Sequence, residues 1–150
     1  MRKRRSKVGD VIQLTLEDGT YAYGRVLRDG AVAFYRHRSE VPNAPPIGSR
    51  DYQFVVGVYD DVLKSEQCPV VGRDHSEDLE DEWPPEQVIR DVITGKVRDL
   101  YHKGVIRKAI GGEGEELEPV AAWGYEHVVD RLMGRMDKIW IGTHQIRLPK

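Results

Sequence analysis

The sequence predicts an α+β domain built on a twisted, mainly antiparallel sheet with two principal helices. Three observations carry this. Residues 11–36 hold three alternating runs separated by the tight Asp18-Gly19 and Asp29-Gly30 turns. Residues 52–59 form a further strand-like run, with Tyr52, Phe54, Val56 and Val58 spaced two apart. Tyr125, Val128, Val129, Leu132, Met133 and Met136 recur at helical spacing, the clearest 3.6-residue periodicity in the chain.

The first strand covers residues 11–16, with Ile12, Leu14 and Leu16 on the core face and Gln13 and Thr15 on the other. The return strand covers 21–27, and Gly24 inside it marks a bulge or a close backbone approach. The third strand covers 31–36, with Val32 and Phe34 turned to the core. Together these form a meander that twists in the direction of a barrel. Residues 41–50 carry Pro42, Pro45, Pro46 and Gly48 and read as an irregular crossing loop. Val55 makes the second face of 52–59 apolar too, which suits a central, doubly covered strand with all four alternate residues on one face.

Residues 60–67 read as a short amphipathic or irregular piece, and 69–71 as a short edge strand. A polar, acidic loop follows over 73–82. The first principal helix is expected to start at Trp83-Pro84-Pro85, to bury Val88, Ile89, Val92 and Ile93 in a stripe, and to end at Gly95 in a left-handed cap. Residues 97–101 and 105–110 read as a hairpin around His102-Lys103-Gly104, and 111–118 as a glycine- and glutamate-rich loop. The second helix follows from Tyr125 to Met136, then a last strand over 139–147. No internal repeat or linker divides the chain. Residues 8–150 therefore read as one domain, preceded by a basic flexible arm over 1–7.

Composition narrows the function classes. At 150 residues with 39% hydrophobic and 32% charged residues, the chain has enough apolar side chains for a core. A formal net charge of −2 argues against a strongly basic nucleic-acid binder. A single cysteine excludes an intrachain disulfide framework and a cysteine-rich zinc module. No apolar run approaches the roughly 20 residues of a membrane-spanning helix. Arg2-Lys3-Arg4-Arg5 is not followed by the apolar stretch of a secretory signal. The expectation is a soluble, cytoplasmic protein.

The chemical motifs are sparse. His37, His75, His102, His127 and His144 are scattered, without metal-ligand spacing, and His127 with Asp130 reads as a surface pair on the second helix. Cys68 reads as a small buried hydrophobe rather than a nucleophile. Gly111, Gly112 and Gly114 lack the Gly-Lys-Ser/Thr of a phosphate loop and sit among acids. No catalytic residue, metal site or cofactor is expected. An enzyme assembled from scattered His, Glu and Asp residues is the weakest of three readings.

Two surfaces suit binding. Arg25, Arg28, Arg36 and Arg38 with Tyr21, Tyr23 and Tyr35 suit a small β-rich module that binds single-stranded nucleic acid, with help from the basic arm. Half-buried tyrosines under a cover of arginines explain the same residues and fit the neutral charge better. The sharper surface is acidic: Asp74, Glu77, Asp78, Glu80, Asp81 and Glu82 precede an aromatic anchor, Trp83. Carboxylates speed the encounter with a basic protein, and an aromatic side chain supplies desolvated contact area.

The N-terminal residues also carry a resemblance. Val8-Gly9-Asp10-Val11 and the stretch from Leu16 through Asp18, Gly19, Tyr21, Tyr23, Gly24 and Arg25 to Leu27 resemble the opening hairpin of the immunity protein 26 family of bacterial polymorphic toxin systems. Glu118-Pro119-Val120-Ala121-Ala122-Trp123 and His127-Val128-Val129-Asp130-Arg131-Leu132 are similar to its C-terminal part. The resemblance runs from about Lys7 to Met133 and rests on turns and core residues rather than catalytic signatures. It implies an α+β fold, no catalytic residues, and a protein that neutralises a cognate toxin domain encoded next to it. The acidic surface adds how: a basic partner, as nucleic-acid-cleaving nuclease domains often are, inhibited by occlusion of its active site or substrate approach.

Overall fold

Alternation of apolar and polar residues builds one long sheet in the first half of the chain. Strands β1 (Asp10–Thr15), β2 (Tyr21–Val26), β3 (Ala31–Ser39) and β4 (Tyr52–Val58) run antiparallel as neighbours. Helix α1 (Asp60–Lys64) then leads to β5 (Val70–Arg73), which pairs with the outer edge of β1. The computed structural model describes residues 5–149. Residues 1–4 of the expected basic arm lie outside the described residues. Of the rest of that arm, Arg5 meets Asp60 at 3.3 Å, and Ser6 is buried with its amide and hydroxyl both donating to the Leu63 carbonyl.

A 3-10 turn at Leu79–Glu82 precedes a second sheet of three antiparallel strands, β6 (Gln87–Arg90), β7 (Val97–His102) and β8 (Val105–Lys108). Strand β9 (Ala122–Trp123) adds in parallel to β4, and helix α2 (Tyr125–Leu132) follows. The hairpin β10 (Lys138–Ile141) and β11 (His144–Arg147) ends the described fold. The main sheet has the order β5-β1-β2-β3-β4-β9 and does not close into a barrel.

The main core lies on one face of that sheet. Ile12, Leu14, Val32, Phe34, Phe54, Val56 and Val58 pack against Val62 and Leu63 of α1 and Val128, Val129 and Leu132 of α2. Burying each such side chain stabilises the fold by about 1.5–3 kcal/mol. The opposite face has smaller apolar clusters around Val11, Tyr23 and Tyr35 and around Leu27, Ala31 and Ala33. The proline-rich loop closes over part of it: the Ala44 amide donates to the Tyr23 hydroxyl at 3.1 Å and the Asn43 amide to Gln13 at 2.7 Å.

Gly24 behaves as expected of a close approach. A Cβ there would sit 2.6 Å from Val32 Cγ1 and 3.1 Å from the Phe34 ring, and the β2–β3 register shifts between Ala22 and Gly24.

Five expectations are corrected. No helix starts at Trp83. Pro84 and Pro85 hold the chain extended, and the β-branched Val88 and Ile89 pair with Leu100 and Asp99 in a ladder. Val92 and Ile93 then fall in an exposed turn, in which the Asp91 carboxylate accepts the Ile93 and Thr94 amides and Gly95 takes a φ of +73°. The two helices are instead α1 and α2.

Strand β4 is not central, because its outer neighbour is only the two-residue β9. Tyr52 does not share a face with Phe54: a register shift between Phe34 and Tyr35 turns Tyr52 to the opposite side, against Tyr35. Helix α2 stops at Leu132, before Gly134 at φ +74°, so Met136 reaches the core from the following segment. The final segment is a hairpin folded at Gly142, not one strand.

Candidate partner-binding surface

Arg25 organises this surface from below. It lies on β2 between Gly24 and Val26, faces away from the main core, and is only 2% exposed. A buried guanidinium must find acceptors. It donates from Nε to the Asp74 carbonyl at 2.8 Å and from Nη1 to the Asp81 carbonyl at 2.7 Å. One side chain thus ties down both ends of the acidic loop.

Asp74 is itself 1% exposed. Its carboxylate accepts the Tyr35 hydroxyl at 2.5 Å, the Gly48 amide at 3.1 Å and Arg50 Nη1 at 3.0 Å. Burial pushes the carboxyl up, but these donors outweigh it and hold the group below the usual carboxylate range. Burial and the facing Asp74 carboxylate push the Tyr35 hydroxyl far above its ordinary value. Asp81 accepts the Ser76 hydroxyl at 2.8 Å and meets Arg50 Nε at 3.4 Å, and its carboxyl is lowered accordingly.

The remaining acids sit nearer to solvent. Asp78 caps the 3-10 turn by accepting the Glu80 amide at 3.0 Å. Glu80 pairs with Lys103 at 2.5 Å and Glu82 with Arg28 at 2.8 Å. Glu77 is exposed and makes no ion pair among the described residues. Trp83 is half-buried, with the Arg28 and Lys103 cations 5.7 and 5.6 Å from its ring centroid.

The structure therefore divides the seven expected residues. Asp74 is an anchor under the surface. Asp81 and Glu82 are held by arginines at its edge. Glu77, Asp78 and Glu80 face outward around Leu79, which is 68% exposed, and Trp83 closes one end. Sequence reasoning missed Arg25, Arg50 and Tyr35 as the groups that shape the loop, and Lys103 as a cation beside it. The one sequence signal was an arginine inside an otherwise apolar strand.

The tyrosine–arginine face is not a stacking surface. Tyr23 and Tyr35 are fully buried, Arg25 is sealed beneath the loop, and Arg36 pairs with Asp51 at 3.1 Å. Arg38 donates to the Leu132 carbonyl. The expected His127–Asp130 pair is also absent: Asp130 meets Arg135 at 3.0 Å instead. Cys68 is buried. Among the described residues no group of three or more His, Cys, Asp or Glu side chains is arranged to hold a metal ion. No described helix is long and apolar enough to cross a membrane.

A family model described as Immunity protein 26 matches residues 7–97, which takes in β1 through β6 and the whole acidic loop. The match ends at residue 97, so the expected likeness over residues 118–133 lies beyond it. No curated protein and no solved structure matches the chain.

Proposed function

Because the chain belongs to the immunity protein 26 family, we propose that it binds a cognate toxin domain in the cytoplasm of a bacterium and neutralises it by covering the active site or the approach of the substrate. On this reading it acts by binding and not by catalysis. The toxin belongs to a polymorphic toxin system and presents a basic face, as a nuclease domain does.

The observation that carries the placement is the pinning of the acidic loop by buried Arg25. A loop already held by its own backbone loses little conformational freedom on docking. Its outward carboxylates Glu77 and Asp78 steer a basic partner, Glu80 being already paired with Lys103, and Leu79 and Trp83 supply the apolar contact.

The test has two parts. Co-expression with the adjacent toxin reading frame should rescue growth, and failure to rescue or to co-purify would refute the inhibitor reading. The double reversal Glu77→Lys with Asp78→Lys should slow association about tenfold at low salt and flatten its salt dependence. Both side chains are exposed, and the side-chain bond lost is the Asp78 cap on the Glu80 amide, worth about 1 kcal/mol, so the fold should tolerate the change. Reversal at Asp81 is less informative, because it also breaks the bonds to Arg50 and Ser76. Unchanged association rates would place the toxin on another face.

A further inference from the structure

The second sheet has one closed edge and one open edge. On the β6 side the Val88 amide donates to the Glu118 carbonyl at 2.9 Å and the Val120 amide to the Val88 carbonyl at 2.8 Å, so residues 118–120 cover that edge. On the β8 side the sheet ends, and all four residues of β8 are exposed. Val105 and Ile106 are 65% and 60% exposed, and Ile110 just beyond is 77% exposed. Large apolar side chains on an uncovered edge strand are what proteins ordinarily avoid.

The ladder register says which groups are free. Ala109 donates to the Arg98 carbonyl, and the β7–β8 pairs are Asp99–Lys108, Leu100–Arg107, Tyr101–Ile106 and His102–Val105. Hydrogen-bonded pairs alternate in an antiparallel ladder. Val105 and Arg107 therefore bond inward to β7, and the amides and carbonyls of Ile106 and Lys108 point outward.

We infer that β8 is a docking edge on which the toxin lays an extended segment as a fourth strand, bonded to the outward backbone of Ile106 and Lys108. This inference rests on the toxin-binding reading above. The edge continues from that surface: Lys103, in the turn that opens β8, pairs with Glu80 and lies over Trp83. Charge narrows the segment further. Asp99, opposite Lys108, is already paired with Arg98 at 2.7 Å, and Arg107 is held by Glu113 at 2.9 Å. Lys108 thus looks outward for its carboxylate. The segment carries an acid opposite Lys108 and apolar side chains beside Val105 and Ile106.

A second copy of this chain fits the edge poorly. Full overlap of two β8 strands sets the outward Ile106 against the inward Arg107, which ladder geometry forbids. A shift centred on Arg107 stacks two guanidiniums face to face, and one centred on Ile106 runs Lys108 against the turn at Gly104.

The test uses the full chain and the toxin domain encoded beside it. Amide exchange followed by NMR should show toxin-dependent protection at Ile106 and Lys108, with little change at Arg107. Ile106→Pro removes an outward donor and the isoleucine side chain but no bond to β7, so β7–β8 should persist while affinity falls at least about tenfold. If that variant misfolds, Ile106→Lys together with the exchange data decides. Toxin binding with no protection at Ile106 and Lys108 overturns the docking edge and leaves the inhibitor reading intact. A concentration-dependent dimer of the chain alone that Ile106→Pro dissolves also overturns it. Absence of toxin binding by the unaltered chain overturns both.

Discussion

Tyr35 on β3 donates its hydroxyl to the buried Asp74 carboxylate at 2.5 Å, and so fastens the centre of the main sheet to a loop 39 residues away. Arg50 reaches the same carboxylate from the proline-rich loop at 3.0 Å. Three segments distant in sequence meet on one charged group, and the shape of the candidate surface follows from that meeting.

Asp74→Asn should lower stability in a pH-dependent way. The folded carboxyl lies below its ordinary value of 3.8, so the stabilisation is present above that value and is lost as pH falls through the folded one. Near neutral pH the variant should lose about 1–3 kcal/mol. The two unfolding free energies should draw together as pH falls below 3.8. Urea titrations across this range check it, and a pH-independent gap would assign the loss to shape alone.

Arg25→Met should loosen the acidic loop more than the core. It leaves the Asp74 and Asp81 carbonyls without their donor, at a cost of about 2–4 kcal/mol. Hydrogen exchange should accelerate over residues 76–83 while the amides of β1 to β3 stay protected. Uniform acceleration would show that Arg25 serves the whole sheet.

Gly24→Val tests the close approach of β2 and β3. The new side chain would press on Val32 and Phe34, both fully buried. Overpacking of this kind costs about 1–3 kcal/mol, read as a lower midpoint in thermal melts. An unchanged midpoint would mean that the sheet opens there at no expense.

Arg131, which is buried, pairs with the partly buried Glu118, and its guanidinium also lies 4.2 Å from the Phe54 ring centroid. Glu118→Ala should destabilise by about 3–5 kcal/mol, since a buried charge loses its partner. Adding Arg131→Met should recover much of the loss. A double variant as unstable as the sum of the two single changes would rule out coupling.

Much of the fold was legible because the signals were local. Asp18-Gly19 and Asp29-Gly30 made the meander readable, the spacing from Tyr125 to Leu132 made α2 readable, and His102-Lys103-Gly104 marked the β7–β8 hairpin. The errors have local causes as well. Val88, Ile89, Val92 and Ile93 fit a helical stripe in spacing, but β-branched residues after two prolines fit a strand and turn better. Bulges hid the true facing of Tyr52, because a one-residue shift exchanges the faces without leaving a mark in composition.

The acidic loop shows where local reading stops. Its seven candidate residues are adjacent in sequence, yet Asp74 is buried, Asp81 and Glu82 are held by arginines, and only Glu77, Asp78 and Glu80 face out with Leu79. Nothing within residues 74–83 distinguishes one carboxylate from another. The distinction comes from Arg25, Tyr35, Arg50 and Lys103, which lie on other strands and loops.

By itself the sequence determined the α+β class, the meander, α2, the β7–β8 hairpin and the resemblance to an immunity family. Each of these depends on residues a few positions apart or on a contiguous pattern. Only the tertiary structure decided which charges are anchors and which are displayed, and which edge of the second sheet is left open. Those outcomes depend on desolvation and on partners brought together by strand register, and both are properties of the folded assembly.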